Sequence, residues 1–308
     1  MKMKIGFLLP LLVVMVSGLC FLPALRRNPV ARDAACATAE SADDHAGSAA
    51  EGDDQERIRT LEQTAQEMIR RRRITPMATL IGQLDRQECR LALLDPSDRR
   101  MTPGEIYSQY KPSVLVVAGI YRCPKCGRWH ADAVGGFFIT ETGACVTNYH
   151  VVDKKSEYTL LAMTDEGRVF PVREVLAASR PHDAAILQLE TAKESFTPVA
   201  LSADAPVGAS VSVISHPGGH FYTLTQGMIS RYSNVMKNGQ RTARMTITAD
   251  FARGSSGGPV FNEYGNVVGM VESTTSVYYN TTAGKKDNLQ MVFKNCVPAE
   301  NILKLIRP

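Results

Sequence analysis

Phe251 to Val260 read FARGSSGGPV. A Gly-x-Ser-Gly-Gly-Pro run turns the backbone sharply and aims amide N–H groups at a point beside a serine hydroxyl. One short loop can in this way supply both a nucleophile and a hole for an oxyanion. Taken alone, the same run also suits an ordinary glycine turn ahead of a strand. What precedes it in the chain decides between the two.

Gly143 to Asp153 read GACVTNYHVVD. Ala144 to Thr147 form a buried-strand pattern, and His150 sits just past its end, where a strand presents side chains to a cleft. Pro181 to Glu190 read PHDAAILQLE, and there Asp183 opens a second apolar run of period two. The chain thus supplies His, Asp and Ser in that order, each at the edge of a strand-like run. A serine hydroxyl is a weak nucleophile that needs a base within reach, and the base needs a carboxylate on its far nitrogen.

TNYHVV, HDAAILQL and GSSGGPVFNEYGNVVGM together resemble the trypsin-like peptidases, above all their HtrA/Deg branch. VGASVSVISHPGGHFYTLTQGMIS resembles the opening of that branch's second barrel, and EIYSQYKPSVLVV its first strand. The likeness runs from about Glu105 to the C-terminus. It implies an all-β fold of two six-stranded antiparallel β-barrels, about 111–191 and 198–298, inside a protease domain over 104–308. It also implies a C-terminal helix, and an active-site cleft between the barrels.

Carried over residue by residue, the resemblance makes Ser256 the nucleophile, His150 the general base and Asp183 its orienter. The amides of Gly254 and Ser256 form the oxyanion hole. His130, His182, His216 and His220 match no catalytic motif and read as turn or surface residues. Asp153 and Asp165 are rival acids, with Asp153 better suited to a cap or a solvated charge.

The pattern departs from the family in three places. Ser255 stands where digestive relatives carry the Asp that pairs with a new N-terminus, and no IVGG-like start precedes the first barrel. Activation by that route is not expected. The chain ends at Pro308 with no room for a PDZ domain, so peptide-driven allostery and cage assembly are not carried over. Asp250, six residues before Ser256, occupies the position that in some relatives forms the floor of a pocket for Arg or Lys, or else braces its loop. Glu272, on the strand that lines the pocket wall, is a second candidate.

Length and composition set the bounds. The 308 residues are 44% hydrophobic, ample for a core, and the net charge of +4 with no aromatic-basic stripe argues against nucleic acid. Two lysines in the first four residues precede an apolar run over about 5–25, a leader that directs the chain out of the cytoplasm, periplasmic or secreted. Cleavage is the expected fate, although the run is also long enough to anchor the chain in a membrane. Residues 26–55 have too few large apolar side chains to fold and read as a linker. Residues 56–100 carry helical spacing, broken at Thr75-Pro76, and suggest a helical hairpin that packs on the protease or on another subunit in a homo-oligomer.

Seven cysteines occur. Cys123-Pro-Lys-Cys126-Gly, followed by His130, is the pattern of a zinc knuckle, but no second C-x-x-C supplies further ligands. A short disulfide between Cys123 and Cys126 is the favoured alternative in an oxidising compartment. Cys145 and Cys296 lie in apolar runs and read as buried thiols, while Cys36 and Cys89 are left open. The expected activity is that of an exported serine endopeptidase acting on proteins or peptides, with no metal or cofactor needed for the hydrolysis. Its rivals are a non-catalytic or chaperone-like module, a zinc-dependent module on Cys123 and Cys126, and an esterase.

Overall fold

A computed structural model of the protein describes residues 49–307, apart from 238, 283 and 284. The apolar leader, most of the linker and Cys36 lie outside the described residues.

Helix α1 (Ala49–Arg70) opens the described chain, and the short α2 (Met77–Ile81) follows the break at Pro76. The helical pattern does not continue to Leu94. Pro76 supplies the extended N-cap of α2, and Gly82 caps its other end six residues later. Beyond it, β1 (Cys89–Arg90) pairs in parallel with the last strand of the chain. The segment over 91–100 has no regular structure.

EIYSQY, expected in the first strand, instead belongs to helix α3 (Pro103–Tyr110). A capping box explains the difference. Thr102 Oγ1 accepts from the Glu105 amide at 3.2 Å, and Glu105 Oε2 accepts from the Thr102 amide at 2.7 Å, with Pro103 in the first turn.

Strand β2 (Val114–Arg122) begins the first barrel. It continues with β3 (Trp129–Phe138), β4 (Ala144–Thr147), the one-turn helix α4 (Tyr149–Val152), β5 (Thr159–Met163), β6 (Val169–Ser179) and β7 (Ala184–Leu189). The order β2-β3-β4-β7-β6-β5 closes on itself through the β2–β5 pair. The second barrel uses β8 (Ser210–Ser215), β9 (Thr223–Lys237), β10 (Gln240–Ile247), β11 (Pro259–Asn262), β12 (Val267–Thr282) and β13 (Lys285–Pro298), closed in the order β10-β13-β12-β11-β8-β9. Helix α5 (Ala299–Leu303) and β14 (Ile306–Arg307), the partner of β1, complete the chain. The fold class is the one expected: two six-stranded antiparallel barrels and a C-terminal helix.

The unbroken apolar run of β2 follows from its position. Val114, Val116, Ala118 and Ile120 join one buried cluster, while the alternate Leu115 and Val117 join another. The first cluster includes Leu61 and Ala65 of α1, Ile106 and Tyr110 of α3, and Phe261 of the second barrel. The second includes Met77 and Leu80 of α2. The N-terminal helices therefore pack on the protein's own barrels. A third cluster, with Val213, Met245, Val260 and Cys296, fills the second barrel.

Candidate active site

Strand pairing brings the first two candidate residues together. In the antiparallel β4–β7 pair, Thr147 lies opposite Ala185. The residues just after β4 therefore lie beside the residues just before β7. Asn148 is the N-cap of α4, whose single turn presents His150. His150 Nδ1 lies 2.9 Å from Asp183 Oδ2, and the His150 amide donates to Asp183 Oδ1 at 3.1 Å. Asp183 is buried and has a φ of 57°, a region that aspartate tolerates better than most residues. Asn148 Nδ2 holds that turn by donating to the Asp183 carbonyl at 3.1 Å. Burial alone would push the Asp183 carboxyl up. The His150 hydrogen bond and the charges of His150 and Lys237 outweigh it and hold the carboxyl below its ordinary value.

The Ser256 loop docks on the first barrel through backbone. The Gly135 amide on β3 donates to the Ser256 carbonyl at 2.6 Å, and Thr147 Oγ1 donates to the Gly135 carbonyl at 2.9 Å. A Cβ at Gly257, where φ is 83°, would lie 2.0 Å from the Gly135 carbonyl oxygen, so only glycine permits this approach. Gly254 has a φ of 94°, and its would-be Cβ lies 2.5 Å from the His216 carbonyl oxygen. Among the described residues, neither the Gly254 nor the Ser256 amide donates to another protein group. Ser256 Oγ donates to the Glu272 carbonyl at 3.4 Å and is not hydrogen-bonded to His150.

His216 departs from the expected turn or surface position. It is fully buried, with Nε2 3.0 Å from the Leu115 carbonyl and Nδ1 accepting from the Tyr222 amide at 3.1 Å. Those bonds fix the neutral ring, and burial pushes its pKa down to about 4. It thus ties β2 of the first barrel to the loop that backs Gly254. Nothing in its local sequence signals this role, because the Leu115 partner is 101 residues away. Ser255 is also buried, accepting from Ser215 Oγ at 3.0 Å, which leaves no acid at that position to hold an ammonium group.

The two candidate pocket acids are already paired. Asp250 is not a buried floor: its side chain is 79% exposed, forms an ion pair with Lys294 and accepts from the Phe251 amide at 3.0 Å. It braces its loop. Glu272 lies at a bulge in the β12–β13 register between Val271 and Ser273, and its side chain is only 10% exposed. Lys237 Nζ approaches it at 2.9 Å and Arg244 Nη2 at 3.1 Å. Lys237, at the end of β9, and Arg244, within β10, were passed over by the sequence reading because neither carries a motif. A cleft of about 380 Å³ opens beside Glu272, with Lys237, Arg244 and Thr275 in its walls.

Cys123 and Cys126 are free thiols and do not form the expected disulfide. Their sulfurs converge with the His130 ring at the tip of the β2–β3 hairpin, where Gly127 at a φ of 68° closes the turn. His130, the Arg128 amide and Cys123 draw the Cys126 thiol down to about 6. Cys145 and Cys296 are buried thiols, as expected. His182 is half-buried against Ser179, His220 is exposed beside Asp54, and Asp153 pairs with Arg180 at the end of α4.

Two closed antiparallel barrels, one presenting a His–Asp pair and the other a serine on a Gly-rich turn, are the arrangement that the trypsin-like resemblance implies. Residues 135–270 match the family model described as "Trypsin-like peptidase domain". It is 37% identical over 147 residues to a "Probable periplasmic serine endoprotease DegP-like" of Rhizobium meliloti, covering 47% of this chain and 28% of that protein. A protein of the same description from Brucella suis is 33% identical over 150 residues, 48% of this chain and 29% of its own. "Protease Do-like 5, chloroplastic" of Arabidopsis thaliana is 32% identical over 152 residues, 45% of this chain and 47% of its own. The chain thus spans less than half the length of these relatives. Among the described residues, no helix is long and apolar enough to cross a membrane.

Proposed function

We propose that the protein is an exported serine endopeptidase that cleaves proteins or peptides through Ser256, His150 and Asp183. Ser256 Oγ attacks the scissile carbonyl while His150 Nε2 takes its proton. His150 then passes that proton to the leaving amine, and the acyl-enzyme is hydrolysed by a water that His150 activates in turn. Asp183 accepts from His150 Nδ1–H, which keeps Nε2 available as the base. The Gly254 and Ser256 amides receive the negative charge that develops on the carbonyl oxygen, an effect of about 3 kcal/mol in such sites.

The single observation that carries this reading is the 2.9 Å His150–Asp183 contact in a domain that matches the trypsin-like family. The periplasmic description of relatives and the charged, apolar leader support export. Residues 5–25 would remain as a membrane anchor if uncleaved. A resting form is the second reading, favoured by the bond of Ser256 Oγ to the Glu272 carbonyl. In that form the serine must turn toward His150 before it reacts. Hydrolysis of an unfolded protein substrate, lost in Ser256→Ala while circular dichroism stays unchanged, is the expected result. Equal turnover by the variant contradicts the assignment.

A further inference from the structure

The hairpin tip on the first barrel, remote in sequence from the Ser256 loop, carries a constellation that peptide hydrolysis does not use. The thiols of Cys123 and Cys126 and a ring nitrogen of His130 all lie within 4.8 Å of one another. Cys126 Sγ is 3.2 Å from His130 Nε2. A tetrahedral zinc ion with ordinary bond lengths sets its ligand atoms about 3.5–3.8 Å apart, so small side-chain rotations bring these three to it.

The turn is built for this. The Cys123 amide donates to the Arg128 carbonyl at 2.9 Å and the Gly127 amide to the Cys123 carbonyl at 2.9 Å. The Arg128 backbone also bonds the Cys126 sulfur. Such amide contacts favour a thiolate over a thiol. The far side of the ring is held as well: His130 Nδ1 lies 3.2 Å from Glu62 Oε1 on α1. A carboxylate there keeps the proton on Nδ1 and turns the Nε2 lone pair toward the sulfurs, the usual outer partner of a metal-bound imidazole.

The geometry points to a zinc-class metal site formed by Cys123, Cys126 and His130, oriented by Glu62, with solvent in the fourth position. Two thiolates and an imidazole suit zinc and disfavour hard cations such as magnesium or calcium. The consequence lies in α1. Glu62 fastens the middle of that helix to the hairpin, while Asp54 near its start accepts from the Phe221 amide at 3.2 Å. Arg57 lies over the Tyr222 ring at 5.4 Å. The metal thereby anchors a helix that also braces the loop around His216.

The test uses the full chain carrying Ser256→Ala, so that its outcome is independent of peptidase activity. Reduced protein is loaded with zinc, dialysed without chelator and analysed for metal. About one zinc per chain is expected, with Cys123→Ser and Cys126→Ser each abolishing retention and Cys89→Ser leaving it unchanged. Cobalt(II) in place of zinc should give a thiolate-to-metal absorption band that both cysteine variants lack. Glu62→Gln should weaken zinc affinity by about 10- to 100-fold. Retention that is absent, or unchanged in the Cys123→Ser, Cys126→Ser double variant, overturns the site. A Cys123–Cys126 disulfide that persists in the reduced preparation overturns it as well.

Discussion

The ammonium of Lys237 lies 3.5 Å from the carboxylate of Asp183, so a cation from the second barrel touches the acid of the first. The same ammonium is 2.9 Å from Glu272, whose other bonds go to Arg244. Two carboxylates, one beside His150 and one on the strand next to Ser256, thus share a single lysine. Lys237 is about one-third exposed, so solvent weakens the attraction without removing it.

Replacing Lys237 by Met leaves Asp183 and Glu272 without their common cation. The His150–Asp183 pair then holds a proton more tightly, and the acid limb of the kcat/KM profile moves to higher pH. A shift of about one pH unit and a loss of about tenfold below it are expected. Lys237→Arg should restore most of the profile. An unchanged limb in Lys237→Met means that the lysine does not tune the pair.

Gly254 has no room for a side chain. In Gly254→Ala the new Cβ meets the His216 carbonyl, and the amide proposed to hold the oxyanion must move. A fall of about 10²- to 10³-fold in kcat with little change in KM is expected. Measured on a small ester or peptide substrate, an equal loss in both parameters would point to general loop collapse instead.

His216 makes stability pH-dependent with a definite sign. Its pKa is near 4 when folded, against an ordinary value of 6.5. The unfolded chain therefore binds the proton first, and stability that is full above pH 6.5 is lost as pH falls toward 4. From pH 7 to 5 the loss is about 2 kcal/mol. Denaturant titrations of the wild type and His216→Gln should differ by this slope. Parallel pH profiles contradict it.

These residues show where the sequence was informative. The barrels were legible because short apolar strands and Gly-rich turns are local signals, and because three separated motifs occur in one order. His150 and Ser256 sit in such motifs. The partner of His216, the bridging role of Lys237 and the pairing of Asp250 with Lys294 depend on contacts between segments far apart in sequence, which local periodicity does not encode. Helix α3 was misplaced because a capping box outweighed a strand resemblance. The second helix was overextended because leucines after Gly82 keep helical spacing yet pack as an irregular segment, with Leu91 and Leu93 lying against the core.

Leu61 tests whether α1 is part of the fold. It is fully buried in the cluster shared with β2 and α3. Leu61→Ala should cost about 2–4 kcal/mol. If α1 undocks alone, hydrogen exchange should rise in residues 54–70 before it rises in the barrels. A variant as stable as the wild type would place α1 outside the cooperative unit.

The most direct measurement of the central claim is labelling of the purified protein with a fluorophosphonate, with the adduct located by mass spectrometry. An adduct on Ser256 that disappears in His150→Ala and weakens sharply in Asp183→Asn is the predicted result. A folded protein that takes no label on Ser256, or takes it equally without His150, would contradict a Ser256–His150–Asp183 peptidase.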